Sequence, residues 1–420
     1  MSNEIRGMKV CDNYLYVVAG NTLWRISPAL TATDVGVMGT DTGQVKMADN
    51  GSQVMIVDDE KGYLYSSVAD AFYEIRTDPT DADPDFPENP RGLGYMDGYF
   101  VVSKRDTGTF WISKLYDGTS WDALDFASAE GSPDMAVDII VDHRELWIFG
   151  EESTEVFYNA GNVDFPFVRT EGAFIEVGIA SKDCAAKLDN SVYWLTNHGT
   201  LVRADGYNPQ VVSTRQVEHQ WCKYDTIEDA RAFAYHWQGH AFYQITFPSG
   251  NATWVYDASN GSWHKRASYP NQGRHRANCY AFWNDKHLVG DFENGRVYEL
   301  DLDTYTDNLE LISRMRTTPM YSERNLNIFC HSLQIDFEAG TGLNTGQGLI
   351  PQAMLQMSDD GGHTWSNEYW VTAGKIGEYD RRAIWQRLGV GRNRTLKLMV
   401  TDPVKWNILG ATANITVGTS

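Results

Sequence analysis

Tyr14 to Ile26 reads YLYVVAGNTLWRI. An apolar, aromatic-rich run enters a turn at Gly20-Asn21, and a second run of the same kind, Thr22-Leu23-Trp24-Arg25-Ile26, leaves it. Runs of this length around a Gly-Asn turn predict a β-hairpin. The same grammar recurs down the chain. Gln53–Val57 is followed by Tyr63–Tyr65, Tyr99–Val102 by Thr109–Ser113, and Glu145–Gly150 by Ser153–Tyr158. Ser191–Leu195 is followed by Thr200–Arg203, His240–Ile245 by Thr253–Asp257, and Lys286–Asp291 by Gly295–Leu300. A single hairpin cannot bury both faces. Radial stacking of many hairpins around an axis does so and leaves only short edges. The pattern therefore predicts an irregular six- or seven-bladed β-propeller over residues 1–318, with a two-sheet β-sandwich as the alternative. One short helix is expected, at Asp225–Arg231.

Composition agrees with an all-β chain. Aromatics make up 13% of 420 residues and glycine occurs 37 times, which suits pleated surfaces and tight turns. The net charge of −21 disfavours adhesion to nucleic acid or anionic membrane. Cys11, Cys184, Cys222, Cys279 and Cys330 are odd in number and widely spaced, without a C-x-x-C pair. They read as buried free thiols in a protein made in a reducing compartment. No apolar leader and no membrane span are expected.

After Arg314 the predicted strands lengthen, and residues 319–420 read as a smaller C-terminal β-sandwich or platform. Within it, Ser358–Trp365, SDDGGHTW, fits the Asp-box pattern S-x-D-x-G-x-T-W. In such a turn Ser358 and Asp360 bond back to the backbone, Gly362 supplies a positive φ, and Trp365 tucks under the hairpin. Further on, Arg381, Arg382, Arg387, Arg392 and Arg394 cluster around Trp385 on predicted strands. Ile384, Leu388, Leu396, Leu398 and Val400 are expected to face the core. Guanidinium groups backed by Trp suit a subunit interface.

Sites for chemistry are sparse. Asp78–Pro90 is acidic but Pro-rich and lacks EF-hand spacing, so it reads as a loop. His236 and His240 sit on strands rather than one helix face, and His264 and His275 read as solvated. No nucleophile elbow, Walker loop or dinucleotide fingerprint occurs. A catalytic residue, metal or cofactor is not expected. A sialidase-like glycoside hydrolase or glycan-binding propeller is the alternative, resting on the single Asp-box.

Three stretches carry a family resemblance: Trp147–Gly161 (WIFGEESTEVFYNAG), Trp254–Trp263 (WVYDASNGSW) and Arg381–Val400 (RRAIWQRLGVGRNRTLKLMV). Their order and spacing resemble the packaged-DNA stabilisation proteins, the tail hub or nozzle family, of short-tailed bacteriophages. The resemblance implies a structural protein made in the host cytoplasm and built into the virion tail. It implies a hexameric ring below the portal and its adaptor that extends the DNA channel and retains the genome until ejection. Tail fibres or spikes and a tail-tip plug are implied partners. DNA is expected to pass without specific binding.

Overall fold

A computed structural model describes residues 3–76, 83–129, 131–324 and 326–418; residues 78–82 of the acidic 78–90 loop thus lie outside the described residues. The chain divides into two compact units, Met1–Arg266 with Gly273–Leu300, and Ala267–Gln272 with Asp301–Ser420.

The first unit contains seven antiparallel sheets in chain order. Blades one to five, spanning residues 5–37, 46–74, 90–128, 136–169 and 186–211, have four strands each. Blade six, 231–274, has five, and blade seven, 277–299, has three. The propeller is therefore seven-bladed. Tyr14–Ala19 and Thr22–Ile26 pair as expected, Leu15 opposite Ile26 and Ala19 opposite Thr22. Gly20 takes φ +56 between them, where an added Cβ would lie 2.8 Å from Asn3.

The apolar runs are continuous because a blade is buried on both faces. Leu15 and Val17 pack toward blade seven with Cys279, Ala281 and Trp283. Tyr16 and Val18 pack toward blade two with Val54, Ile56, Tyr63 and Tyr65. Successive side chains on a strand point to opposite faces, so one strand serves two cores. The ring closes through Ile5, which is fully buried. Its carbonyl accepts a bond from Asn278 Nδ2 at 2.8 Å, and Trp283 Nε1 donates to the Asn13 carbonyl at 3.0 Å.

The helix lies at Arg215–Trp221, not at Asp225–Arg231. Val217 and Trp221, four residues apart, form its buried stripe. Residues 225–230 instead form turns that lead into the Arg231–Trp237 strand. Two of the five thiols are not buried: Cys222 is exposed and Cys330 is half-buried. His264 and His275 are half-buried rather than solvated; for His275, burial, Arg266 and Arg276 pull the pKa down to about 3.

The second unit is a sandwich. One sheet has the order Arg314–Thr317, Asn393–Val400, Gln352–Ser358, Tyr369–Thr372, and Tyr321–Ser322 also pairs with Asn393–Val400. In the other sheet, Ile328–Phe337 is central. Ala383–Gln386 and Val390–Gly391 share one of its edges, and Ile408–Val417 takes the other. Leu333, Ile335, Phe337, Leu355, Trp385, Leu396, Leu398 and Val400 form the core. Arg314–Thr317 pairs with Leu398 and its neighbours, so the sandwich begins before residue 314 rather than at 319.

Candidate assembly site

The Asp-box closes the hairpin between Gln352–Ser358 and Tyr369–Thr372. Ser358 Oγ donates to Asp360 Oδ1 at 2.7 Å and accepts from the Gly362 amide at 2.8 Å. Asp360 also accepts from the Thr364 amide at 2.9 Å and the Thr364 hydroxyl at 2.6 Å. The Thr364 hydroxyl, the Thr364 amide and Ser358 hold the Asp360 carboxyl well below its usual range, because each bond favours the charged form. Gly362 has φ +95. Trp365 is half-buried and carries Lys397 Nζ 4.2 Å above its ring.

The five arginines do not form one surface. Arg394 is buried at 4% exposure. It makes a two-pronged ion pair with Asp359, Nε to Oδ1 and Nη2 to Oδ2, both 2.9 Å. It also donates to the carbonyls of Leu388 at 2.6 Å and Val390 at 3.0 Å. Arg394 thereby fastens the Asp-box turn, through Asp359, to the loop before its own strand. Gly391 leaves the space for this, since a Cβ there would sit 2.3 Å from Asp359 Oδ1. Trp385 is 3% exposed, and its Nε1 donates to the Tyr369 carbonyl at 2.7 Å. These two are internal fasteners, not interface groups.

The other four are exposed. Arg381 pairs with Glu378 at 3.2 Å. Arg392 Nε donates to Asn327 Oδ1 at 3.2 Å. Arg387 adopts φ +58 in the turn joining the two short edge strands, where its amide donates to the His331 carbonyl. Arg382 adjoins Arg381 ahead of Ala383. Ile384 points outward at 40% exposure, against expectation, because Ala383 and Trp385 take the inward positions. Asp359 is the site residue the sequence did not disclose: it occupies a variable position of the Asp-box.

The propeller axis carries a second charged cluster. Lys46, on the first strand of blade two, lies 2.8 Å from Asp138 of blade four and 3.7 Å from Asp183, which precedes blade five. A pair that skips blade three must cross the axial space. Lys182 and Asp59 make a further bridge at 2.5 Å. Burial pushes Asp138 up to about 6 against the pull of Lys46. For Lys46, burial lowers the pKa, but Asp138 and Asp183 outweigh it and leave it raised. The basic and acidic members stand over a hundred residues apart in part, so no local spacing announces them. Elsewhere in the propeller, His236 and His240 occupy adjacent strands, and His240 Nδ1 lies 2.7 Å from Asp257 Oδ2.

Both units match one phage family. The bacteriophage P22 Gp10 β-propeller pattern covers residues 4–305, and the Gp10 β-sandwich pattern covers 313–416. The chain belongs to this family. The gap between the two matches falls where the structure changes units, between Leu300 and Arg314. No curated protein matches the chain. Among solved structures, it is similar to virginiamycin B lyase from Staphylococcus aureus, with 10% identity and TM-score 0.48 over 71% of this chain and 96% of that one. It is similar to the extracellular domain of a hybrid two-component system from B. thetaiotaomicron, with 12% identity and TM-score 0.48 over 97% and 56%. The WD40 domain of Neurospora crassa Pan2 gives 8% identity and TM-score 0.45 over 71% and 89%. Membership makes this Gp10-family chain a phage structural protein of the virion.

Proposed function

We propose that the Gp10-family chain is one subunit of a homohexameric ring in the virion tail. The ring docks below the portal and its adaptor, extends the DNA channel, and helps hold the packaged genome until ejection. It offers its outer surface to tail fibres or spikes and to a tip plug. The role is structural and non-catalytic, without a cofactor.

The observation that carries this reading is the separation of charge along the chain. Residues 313–420 hold eleven Lys or Arg against nine Asp or Glu, a net of +2, so residues 1–312 hold −23 of the total −21. Contacts between unlike surfaces of successive subunits build rings. Here they can set the exposed Arg382, Arg387 and Arg392 against the acidic remainder of a neighbour, which offsets repulsion between chains of like net charge. Acidic walls would let DNA slide rather than adhere. Lys46, Asp138 and Asp183 cross the propeller axis, so the conduit in this reading is the space enclosed by the subunits, not the axis of one propeller.

The double change Arg387→Glu with Arg392→Glu tests it. Both side chains are exposed, so the variant should fold normally and lose the hexamer mass in native mass spectrometry, together with incorporation into tails. Normal stoichiometry from a correctly folded double variant would refute the arginine interface.

A further inference from the structure

We infer that the open side of the C-terminal sandwich receives an extended strand from a second copy of this chain, added to the free edge of Ile408–Val417. This rests on the ring reading above and names its contact.

The sandwich core is unfinished on that side. Among the described residues, Ile408–Val417 pairs only with Ile328–Phe337, and Arg314–Thr317 only with Asn393–Val400. A cleft of about 430 Å³ lies where the last strand begins, lined in part by Met315, Arg316, Leu398, Trp406 and Ile408. In register, Val417 stands opposite Ile328 and Ala413 opposite Leu333. Ile328 and Leu333 are buried at 4% and 6%, yet Val417 and Ile415 remain 45% exposed. The inward face of the last strand thus continues the core pattern without a layer to cover it.

The edge also lacks the usual protection. Solitary edge strands carry Lys, Pro, bulges or inward charges that block pairing with another chain. Trp406 to Ser420 contains no charged residue and no proline. Its pairing with Ile328–Phe337 has two register shifts: one leaves Leu409 of this strand unpaired, and the other lies on the partner strand, between Cys330 and Ser332, opposite Ile415 and Asn414.

Charge selects the occupant. Arg314 is turned to the carbonyls of Val404 and Asp402, whereas Arg316 is exposed beside the cleft. A neutral edge with a basic rim attracts acidic surface, and residues 1–312 of another copy supply it at −23. The best-matched element there is Asp117–Ser128, the outermost strand of blade three, which pairs on one edge only. Leu124 and Phe126 are 82% and 42% exposed; Leu124 lies in residues 122–125, which bulge out of the pairing between Trp121 and Phe126, and Asp122 and Asp125, both paired with Lys114, flank it. Strand addition would use backbone bonds for affinity and these apolar side chains for register. The two surfaces differ, so the contact propagates around a ring instead of closing a two-fold dimer.

The test uses full-length chains in a Cys222→Ser background, which removes the exposed native thiol. Chains carrying Ile415→Cys are mixed with chains carrying Leu124→Cys, and a short thiol-specific crosslinker is added. The mixture should yield an interchain crosslink mapping to 415 and 124, while neither chain alone should. Ile415→Lys and Leu124→Lys, both at exposed positions, should each remove the hexamer mass. A crosslink in Ile415→Cys alone would mean two-fold pairing of last strands and would overturn the proposal. Rings of normal mass from both Lys variants would overturn it while leaving the ring reading intact. A monomer at every concentration and in isolated tails would overturn both.

Discussion

The propeller and the sandwich solve the same problem, burying both faces of a sheet, with different completeness. Each blade is covered by two neighbours, and the first blade closes on the last through Ile5, Asn278 and Trp283. The sandwich has only two layers. Its last strand keeps Ile415 and Val417 exposed on the face that should be covered. Charge follows the same division, −23 before residue 313 and +2 after it. In the ring proposed above, an acidic, closed body and an open, neutral-to-basic module would give successive subunits unlike surfaces to set against each other. The two regions also depend on different chemistry: apolar contact between blades in one, a hydrogen-bonded turn locked by one buried arginine in the other.

The sharpest way to break this contrast is to remove the central element of each region. Ile5→Ala deletes a fully buried side chain at the propeller closure and should cost about 3 kcal/mol. Arg394→Ala leaves the Leu388 and Val390 carbonyls without their donor and should also cost about 3 kcal/mol, the low end for a broken buried pair because Asp359 stays half in solvent. Arg394→Lys should not restore the loss, since an ammonium cannot reproduce the two-pronged geometry. Hydrogen exchange separates the regions. Ile5→Ala should raise exchange in blades one and seven, and Arg394→Ala in residues 352–372 and 383–400. Uniform protection loss across the chain in either variant would show that the two regions are not distinct in this sense.

A subtler contrast concerns pH. Asp138 is raised to about 6 in the folded propeller, above its unfolded value near 4. Its contribution is therefore fully present below about pH 4 and is lost as pH rises through 6. Asp360 in the sandwich is depressed, so its contribution is present above about pH 4 and is lost as pH falls toward its folded value. The difference in melting temperature between Asp138→Asn and the unaltered chain should accordingly change between pH 4 and 7 and level off above that. For Asp360→Ala the difference should be largest at neutral pH and shrink in acid. Parallel curves for either pair would remove the assigned carboxylate from the explanation. At neutral pH, Asp360→Ala should lower the melting temperature less than Arg394→Ala does, because the turn it organises is solvent-facing.

How much of this was legible in the sequence depends on whether the signal was local. The blade hairpins were, because a strand between two neighbours reads as an unbroken apolar run around Gly-Asn or Asp-rich turns. The Asp-box was, because every side-chain hydrogen-bond partner of Ser358 and Asp360 lies within four residues. The blade count was left between six and seven, since blade seven has only three strands. Distance in sequence hid the rest. Lys46 meets Asp138 across 92 residues and Arg394 meets Asp359 across 35. Clustering along the chain suggested a common surface for Trp385 and five arginines, but two of those six groups turn inward.

Ile384 gives the smallest and most diagnostic expectation. In the run Ala383-Ile384-Trp385-Gln386 both parities offer an apolar residue, so alternation alone does not choose the inward face. Hydrophobicity favours Ile384. Packing chose otherwise: Ala383 is opposite Ile335 and Trp385 opposite Leu333, each pair inside the core. The indole contributes more buried area than isoleucine, and its N–H finds the Tyr369 carbonyl. Ala383 is fully buried beside it. Ile384 is left opposite Gln334 on the outer face. Ile384→Gln should then change stability of the isolated chain by no more than about 0.5 kcal/mol, as for an ordinary surface position. Trp385→Gln, one residue on, should cost several times more by leaving a cavity beside Leu333. Equal losses from the two changes, measured by denaturant unfolding of the full chain, would mean that the outer face is packed in the free subunit. An Ile384→Gln chain of normal stability that enters rings poorly would instead extend the subunit contact onto this face.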